Sequence, residues 1–390
     1  MINLKTIGLS ILLLCSLSCK AEAETESKKN NVEELKKAAK PIKKSTIKVA
    51  LLLDTSNSMD GLIDQARAQL WEIVNELSYA TCNQERPDLK IALYEYGNDQ
   101  LSNDNGFIRQ VSAFSSDLDY ISEKLFSLTT NGGNEFCGQV IQTSINELAW
   151  GSNESDLKLI FIAGNEPFTQ GPVSYIKAST DAKEKQININ TIYCGNYNDG
   201  ISSMWQHSAK LTNGDYMSIN QNQQTVHIPS PYDDYILELN IKLNKTYIPY
   251  GKQGREKVAT QALQDSNASK YGKANEVSRT VSKSSSFYKN SSWDLVDAET
   301  EEKGFSYSKI NKQLLPKELQ GKSDKELKSY VAKKKAERTL VKQQIQEENS
   351  KRKKYITLEK KKNSINNNLE NAMLKAIKKQ GKQKNYVWKK

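Results

Sequence analysis

Two kinds of segment alternate along the chain from residue 47 to about residue 243. Short apolar runs, such as IKVALLLD at 47–54, are followed by segments in which apolar residues recur every three or four positions. The first kind predicts strands buried on both faces, and the second predicts amphipathic helices. The alternation predicts an α/β domain with a mostly parallel sheet flanked by helices. Strands are predicted at 47–54, 89–97, 107–114, 157–164, 189–195 and 215–219, and helices at 62–80, 118–128, 140–148, 175–186, 202–211 and 233–243.

The first predicted strand ends in an aspartate that is followed at once by small hydroxyl residues. Asp54, Ser56 and Ser58 lie in the loop that leaves the strand. Ligands of open α/β sheets bind at this carboxyl edge, and three oxygen donors at alternate positions suit Mg²⁺ or Mn²⁺. A simpler interpretation is that these residues cap the following helix.

The spacing D-x-S-x-S after an apolar strand resembles the metal-ion-dependent adhesion site of von Willebrand factor type A (VWA) domains. In that family, a Gly-Gly-Thr loop supplies another hydroxyl ligand and a Thr-Asp-Gly turn supplies a second carboxylate. Here Asn134 stands at the threonine position of the NGGNE loop, and Gly164 stands at the aspartate position of the AGNEP loop. The resemblance therefore implies a Mg²⁺ or Mn²⁺ site at Asp54, Ser56, Ser58 and Asn134. It also implies that an acidic side chain of a protein partner completes the coordination.

Loss of the second carboxylate at position 164 predicts a lower cation affinity than that of a complete site. Two interpretations stay open: a functional but weak site, and a degenerate site that only shapes a loop. The chain has two histidines, His207 and His227, and neither has zinc-ligand spacing with a cysteine. No Ser/His/Asp or Cys/His arrangement can be assembled. We therefore predict a protein that is not an enzyme, and the rival hypothesis of Glu166 as a catalytic base lacks a partner residue.

Three cysteines, Cys82, Cys137 and Cys194, follow the N-terminal segment. If one disulfide forms, we expect it between Cys137 and Cys194, because both residues belong to the carboxyl edge of the predicted sheet. The alternative is that the cysteines stay reduced and buried.

The N-terminal segment has the features of an export signal. Residues 1–19 contain one lysine, a short apolar run and small residues before Cys19. The sequence resembles a bacterial lipobox with Cys19 as the acylated residue, and the alternative is ordinary cleavage without a lipid. Residues 20–45 read as a flexible tether. Together they predict a lipid-anchored protein of the bacterial cell envelope, on the periplasmic or surface face of the outer membrane.

Charge divides the chain into two parts. The formal net charge is +10, but residues from 245 onward hold about 35 basic and about 16 acidic side chains, so the preceding part is acidic. An acidic domain and a basic region can attract each other, or the basic region can bind an anionic partner. The export signal argues against nucleic acid as that partner.

The C-terminal third has a different pattern from the α/β part at 46–245. Residues 246–312 predict an irregular polar linker region, and residues 313–390 predict a basic helical tail. The apolar stripe of the tail is interrupted at every second turn, which favours a long charged helix over a stable coiled coil. A second apolar cluster at 369–377 could fold back on that helix as an antiparallel partner. The ordered strands, the two glycine loops and the WDLVD segment at 293–297 are similar to an uncharacterised bacterial VWA family with a charged helical tail.

Two functions are consistent with this pattern. The first is a membrane-anchored VWA protein that binds an unidentified protein partner through the metal site. The alternative is a structural envelope protein with a vestigial metal site, whose basic tail binds anionic membrane or envelope material. Neither hypothesis predicts a small-molecule substrate.

Overall fold

Eight strands form two sheets in the computed structural model, which describes residues 43–388 except 224, 226–227 and 364–367. The larger sheet has six strands and the smaller one has two. The strands are β1 (Thr46–Asp54), β2 (Ala80–Cys82), β3 (Asp88–Tyr96), β4 (Ile108–Ser115), β5 (Leu157–Gly164), β6 (Asn188–Cys194), β7 (Tyr216–Ile219) and β8 (Tyr386–Trp388).

Twelve α-helices lie in the described part of the chain, together with short 3₁₀ turns. They are α1 (Asp60–Leu77), α2 (Leu118–Phe126), α3 (Cys137–Glu147), α4 (Tyr175–Glu184), α5 (Tyr197–Ser202), α6 (Trp205–Leu211), α7 (Asp233–Asn244), α8 (Gly254–Lys270), α9 (Lys273–Ser284), α10 (Leu295–Glu301), α11 (Asp324–Asn363) and α12 (Asn368–Lys382). The 3₁₀ turns span Asn57–Met59, Asn103–Asn105, Tyr307–Lys309, Lys312–Leu314 and Lys317–Leu319.

The strand order of the larger sheet is β4-β3-β1-β5-β6-β7, and only β4 runs antiparallel to its neighbour. Counted along the chain, the six strands have the order 3-2-1-4-5-6 of the Rossmann-like doubly wound fold. The predicted α/β fold with a mostly parallel sheet is confirmed. In this order the connections diverge between β1 and β5, so a crevice opens at the carboxyl ends of these two strands.

Helices cover both faces of this sheet, which is why β1 reads as a continuous apolar run. Val49 and Leu53 pack on the first face, with α1, α2, α7 and α12. Ala50 and Leu52 pack on the second face, with α3, α4 and α6. Asp54, at the end of β1, therefore lies at the carboxyl edge of the sheet, between the hydrophobic cores of the two faces.

Residues 246–312 are not irregular, and that prediction is wrong. They contain α8, α9 and α10, and all but two of the residues of α9 are buried. Most of the buried side chains on α9 are polar, and they form hydrogen bonds and ion pairs with α1, α2, α7 and α8. A hydrophobic pattern does not detect this kind of burial, because each of these polar side chains finds at least one partner inside the protein.

The predicted long charged helix is present as α11, and it contacts α12 through the ion pair Lys360–Glu370 at 3.9 Å but does not pack along it. Instead, α11 packs against α7, α9 and α10, and α12 packs against α1 and the strands β5 and β7. The strand β8 then pairs antiparallel with β2. The expected fold-back of α12 on α11 is therefore wrong, because the apolar stripe of α12 covers the first face of the sheet.

Ion pairs join the acidic and basic parts of the chain, which is the first of the two possibilities that the charge pattern left open. Arg279 is fully buried and pairs with Asp119 at 2.6 Å, and Arg352 pairs with Asp233 at 2.9 Å. Further pairs that join the two parts are Lys257–Asp117, Lys273–Asp234, Lys353–Glu76, Lys378–Glu76 and Lys379–Asp215.

The predicted signal peptide, the lipidation site Cys19 and most of the tether lie outside the described residues. Within residues 43–388, excluding the gaps given above, no helix combines the length and apolar character needed to cross a membrane.

Candidate functional site

Asp54 lies at the carboxyl end of the central strand, where the crevice opens. Its side chain is fully buried. Oδ1 accepts a hydrogen bond from the backbone N–H of Ser56 at 2.7 Å, whereas Oδ2 has no hydrogen-bond partner in the structure. Buried polar atoms are usually paired in proteins, so an unpaired carboxylate oxygen at a ligand-binding edge is a candidate ligand atom.

The two serines continue from Asp54 towards the surface. The hydroxyl oxygens of Ser56 and Ser58 are 3.3 Å apart, and Ser58 Oγ donates to Asn165 Oδ1 at 3.4 Å. Neither Ser56 nor Met59 makes a side-chain capping hydrogen bond at the start of its helix. The interpretation of this motif as a simple helix cap is therefore not supported by its hydrogen bonds.

A second carboxyl group, which the sequence analysis missed, lies beside Asp54. Glu135 is only 5% exposed, and its Oε2 has no hydrogen-bond partner in the structure. Asn134, the predicted ligand from the same loop, is exposed. The NGGNE motif contains both residues, and the path of the backbone after the two glycines decides which of them points inward.

Two glycines show how closely the carboxyl groups approach. A β-carbon on Gly97 would lie 2.7 Å from Glu135 Cγ and 2.9 Å from Asp54 Oδ1. A β-carbon on Gly164 would lie 2.6 Å from Tyr96 Oη and 3.0 Å from Asp54 Oδ2. The glycine that replaces the family's aspartate therefore leaves room for the Tyr96 phenol, which donates to the Ala163 carbonyl at 3.0 Å.

The electrostatic environment of the two carboxyl groups is unfavourable for negative charge. Burial raises the pKa of Asp54. Burial, followed by the hydrogen bond and the charge of Asp54, raises the pKa of Glu135 to about 9. No lysine or arginine in the described ranges forms an ion pair with either group. Without a ligand, a proton in the hydrogen bond between the two carboxyl groups offsets their repulsion, and a bound cation would take the place of that proton.

The donors at this edge suit a hard divalent ion. They are carboxylate, hydroxyl and amide oxygens, which Mg²⁺ and Mn²⁺ prefer. Among the described residues no group of three or more His, Cys, Asp or Glu side chains is arranged to hold a metal. Any cation at this site would therefore use serine or amide oxygens in addition to the carboxylates.

Backbone hydrogen bonds fix the loops around the site. Asn131 N–H donates to the Thr55 carbonyl at 3.0 Å, and Asp99 N–H donates to the Gly132 carbonyl at 2.6 Å. The indole N–H of Trp205 donates to the Glu166 carbonyl at 2.8 Å. The loops from four different connections are thus held together before any ligand binds.

The predicted disulfide between Cys137 and Cys194 is wrong. Cys82, Cys137 and Cys194 are all free and buried. Cys137 packs in the core on the second face of the sheet, and its Sγ lies 3.8 Å from Tyr96 Oη, whereas Cys194 packs in the core on the first face. The sheet lies between the two thiols. Burial raises the pKa of both thiols well above the usual value, which keeps them protonated.

No protein-family model matches the chain, and no curated protein sequence matches it. Several solved structures are similar. The VWA domain of SpRpn10 shows 17% identity over 46% of this chain and 90% of that chain, with a TM-score of 0.34. The conserved hypothetical protein BatB from Bacteroides thetaiotaomicron shows 16% identity over 44% and 90%, with a TM-score of 0.34. An aerotolerance-related membrane protein from Bacteroides fragilis shows 18% identity over 45% and 93%, with a TM-score of 0.30.

These likenesses concern the fold alone, since all three identities are below one fifth. The fold assignment rests on two properties of this chain. They are the strand order and the position of Asp54 at the switch point, the place between β1 and β5 where the connections diverge. The predicted Rossmann-like α/β fold with a mostly parallel sheet is confirmed by the strand order.

Proposed function

We propose that this chain is a protein-binding module that uses a divalent cation at the carboxyl edge of its sheet. The observation that carries the proposal is Asp54, a fully buried carboxylate at the switch point with one unpaired oxygen. The VWA resemblance of the D-x-S-x-S motif supports the same function. The proposal assigns no reaction to the chain.

Asp54, Ser56 and Ser58 would hold the ion, and Asn134 remains the fourth ligand predicted from the motif. When bound, the ion supplies an electrophilic centre that accepts an oxygen atom from the partner. The protein contributes the preorganised loops, so little conformational entropy is lost on binding.

The surface beside the site offers apolar contacts to a partner. Ile201 and Met204, at the junction of α5 and α6, are 36% and 39% exposed. The backbone N–H of Phe168 donates to the Ser203 carbonyl at 2.9 Å, which connects this surface to the loop after β5. Phe168 itself is fully buried and does not contribute to a docking surface. Exposed apolar residues next to a ligand edge are typical of protein-binding surfaces.

Thermal unfolding of the whole chain, with EDTA or with Mg²⁺ or Mn²⁺, tests this proposal. A cation that binds only the folded state stabilises it by about 2.7 kcal/mol at a hundred times its dissociation constant. We expect this stabilisation in the native chain and in Asp104→Ala, an exposed control in the neighbouring loop, and we expect Asp54→Ala to lose it. Equal stabilisation in Asp54→Ala would refute the proposed site, as would the absence of any stabilisation in the native chain.

We also propose that the protein is anchored in the bacterial envelope through Cys19. The support is the lipobox-like sequence SLSC at 16–19. Metabolic labelling with a radioactive fatty acid should label the native protein and should fail to label Cys19→Ala. Equal labelling of both proteins would exclude this anchor.

A further inference from the structure

We infer that Glu135 supplies the second carboxylate of the cation site, in place of the residue at position 164, and that the protein partner contributes a neutral oxygen. This inference rests on the proposed function, because it concerns the same site. It assigns a metal-binding role to a residue outside the predicted ligand set, and it changes the expected chemistry of the partner.

Asp54 and Glu135 place two buried carboxyl groups close together. A β-carbon added to Gly97 would lie within 3 Å of both Glu135 Cγ and Asp54 Oδ1, so the two side chains are close to each other. Each carboxyl group also keeps one oxygen without a hydrogen-bond partner. Two unpaired oxygens on adjacent buried carboxyl groups are the arrangement that a divalent cation satisfies.

Contacts on both sides of Glu135 hold it inward in its loop. The backbone N–H of Glu135 donates to Gln170 Oε1 at 2.9 Å, so the loop after β5 fixes the position of this residue. Two residues later, Cys137 is buried and begins α3. The side chain of Asn134 is exposed between these anchors, and it has no comparable constraint.

Position 164 has no room for the carboxylate of the family pattern. A β-carbon there would meet both Tyr96 Oη and Asp54 Oδ2 at 3.0 Å or less. The phenol of Tyr96 occupies the space through its hydrogen bond to Ala163. The chain therefore provides a carboxylate from the loop before α3 and excludes one from the end of β5.

The chemistry of the partner follows from the charge. Two carboxylates balance the charge of a divalent ion, whereas Asp54 alone would leave one positive charge for an acidic partner. A third carboxylate would give the buried site a net negative charge, which is unfavourable at low dielectric. The partner's contribution should accordingly be a backbone carbonyl, a hydroxyl or an amide oxygen.

Mn²⁺ binding to the whole chain, measured by the electron paramagnetic resonance signal of free Mn²⁺, tests the ligand assignment. Glu135→Gln keeps the size of the side chain and should weaken Mn²⁺ binding by at least about tenfold. Asp104→Asn is the control, because Asp104 is an exposed carboxylate of the neighbouring loop, and it should change the affinity by less than about threefold. Unchanged affinity in Glu135→Gln would overturn the inference.

Asp54→Asn separates this inference from the proposed function. If Asp54→Asn loses Mn²⁺ and Glu135→Gln does not, the cation site stands and the role of Glu135 is refuted. If the native chain binds no Mn²⁺, both fail.

Acetate tests the charge argument, since it can replace a missing carboxylate. In Glu135→Ala, which leaves a space at the site, acetate should restore Mn²⁺ affinity, and acetamide should not. In the native chain, acetate should leave the affinity unchanged. Tighter Mn²⁺ binding by the native chain in acetate would contradict the neutral partner oxygen, and no rescue of Glu135→Ala would contradict the role of the Glu135 carboxylate.

Discussion

The helices α1 and α9 pack against each other, and both are largely buried, but they achieve burial by different chemistry. On α1, apolar side chains such as Leu62 and Leu70 enter the core on the first face of the sheet. On α9, most buried side chains are polar, and Arg279 and Lys283 are fully buried. The C-terminal region is therefore joined to the α/β region by specific polar contacts as well as by buried apolar surface.

Arg279 shows how such a contact is built. Its guanidinium pairs with Asp119 on α2 at 2.6 Å and with Asp265 on α8 at 3.0 Å. The same group lies 4.4 Å from the ring centroid of Trp71 and 5.3 Å from that of Tyr288. Burying a charge is costly unless it is paired in this way, and the stacking on aromatic rings adds to the compensation.

The largest expected effect is that of removing the C-terminal region. Without residues 246–390, α12 no longer covers the first face, where Leu369 and Met373 line the same apolar cavity as Leu51 and Phe161. Each large side chain that becomes exposed costs about 1.5–3 kcal/mol, and the sum of several equals the stability of a typical domain. We expect residues 43–245 alone to show no cooperative thermal transition by circular dichroism.

The control for this deletion is to supply the missing C-terminal region as a separate polypeptide. Residues 246–390 added in trans should restore a cooperative transition. If residues 43–245 melt cooperatively without them, the two regions are independent domains, and the C-terminal region is not needed to stabilise the α/β region.

Removing the buried charge on α9 should have the next largest effect. Arg279→Met leaves Asp119 buried without its cation and should lower the free energy of unfolding by about 3–5 kcal/mol, measured by urea denaturation. Lys379→Met removes the pair with Asp215 on the surface, where the lysine side chain is 57% exposed, and should cost less than about 1 kcal/mol.

A second substitution sharpens this result. Arg279→Met combined with Asp119→Leu should recover part of the loss, because no unpaired carboxylate remains. A similar loss for Arg279→Met and Lys379→Met would show that burial of the charge is unimportant.

The smallest effect concerns pH. Burial alone would raise the pKa of Asp265, but the charges of Lys283 and Arg279 lower it from 3.8 to about 2. The folded state therefore favours the carboxylate. This contribution is present above pH 3.8 and is lost as the pH falls towards 2.

Asp265→Asn measures this contribution. The variant should be less stable than the native chain by about 2 kcal/mol near pH 6, and the difference should shrink as the pH approaches 2. Urea denaturation at several pH values gives the comparison. A difference that is independent of pH would contradict the assigned ionisation of Asp265.

The sequence predicts the α/β region well because the apolar positions of the sequence are also the buried positions of the structure there. The apolar run at 47–54 becomes β1, and the aspartate at its end reaches the switch point. In the C-terminal region the same reasoning fails. Serines and an arginine on α9 are buried through partners up to 211 positions away in sequence, such as the Trp71 carbonyl near Ser282, and no local pattern specifies those partners.

The candidate site could be predicted only in part, for a related reason. Asp54, Ser56 and Ser58 follow directly from a strand, so their place at the sheet edge is fixed by the pattern. Glu135 follows two glycines in a loop, and glycine allows many backbone paths. The one available signal was a carboxylate next to Asn134, and local sequence does not decide which of two adjacent side chains faces inward.

The pairing of β8 with β2 has a consequence for biosynthesis. Tyr386, in β8, also donates a hydrogen bond from Oη to the Ser155 carbonyl at 2.9 Å, across 231 positions of sequence. Contacts of such long range form late and slow the folding reaction. The nascent chain cannot complete this structure until residue 388 has left the ribosome, so β2 has no sheet partner while the residues between the two strands are being synthesised.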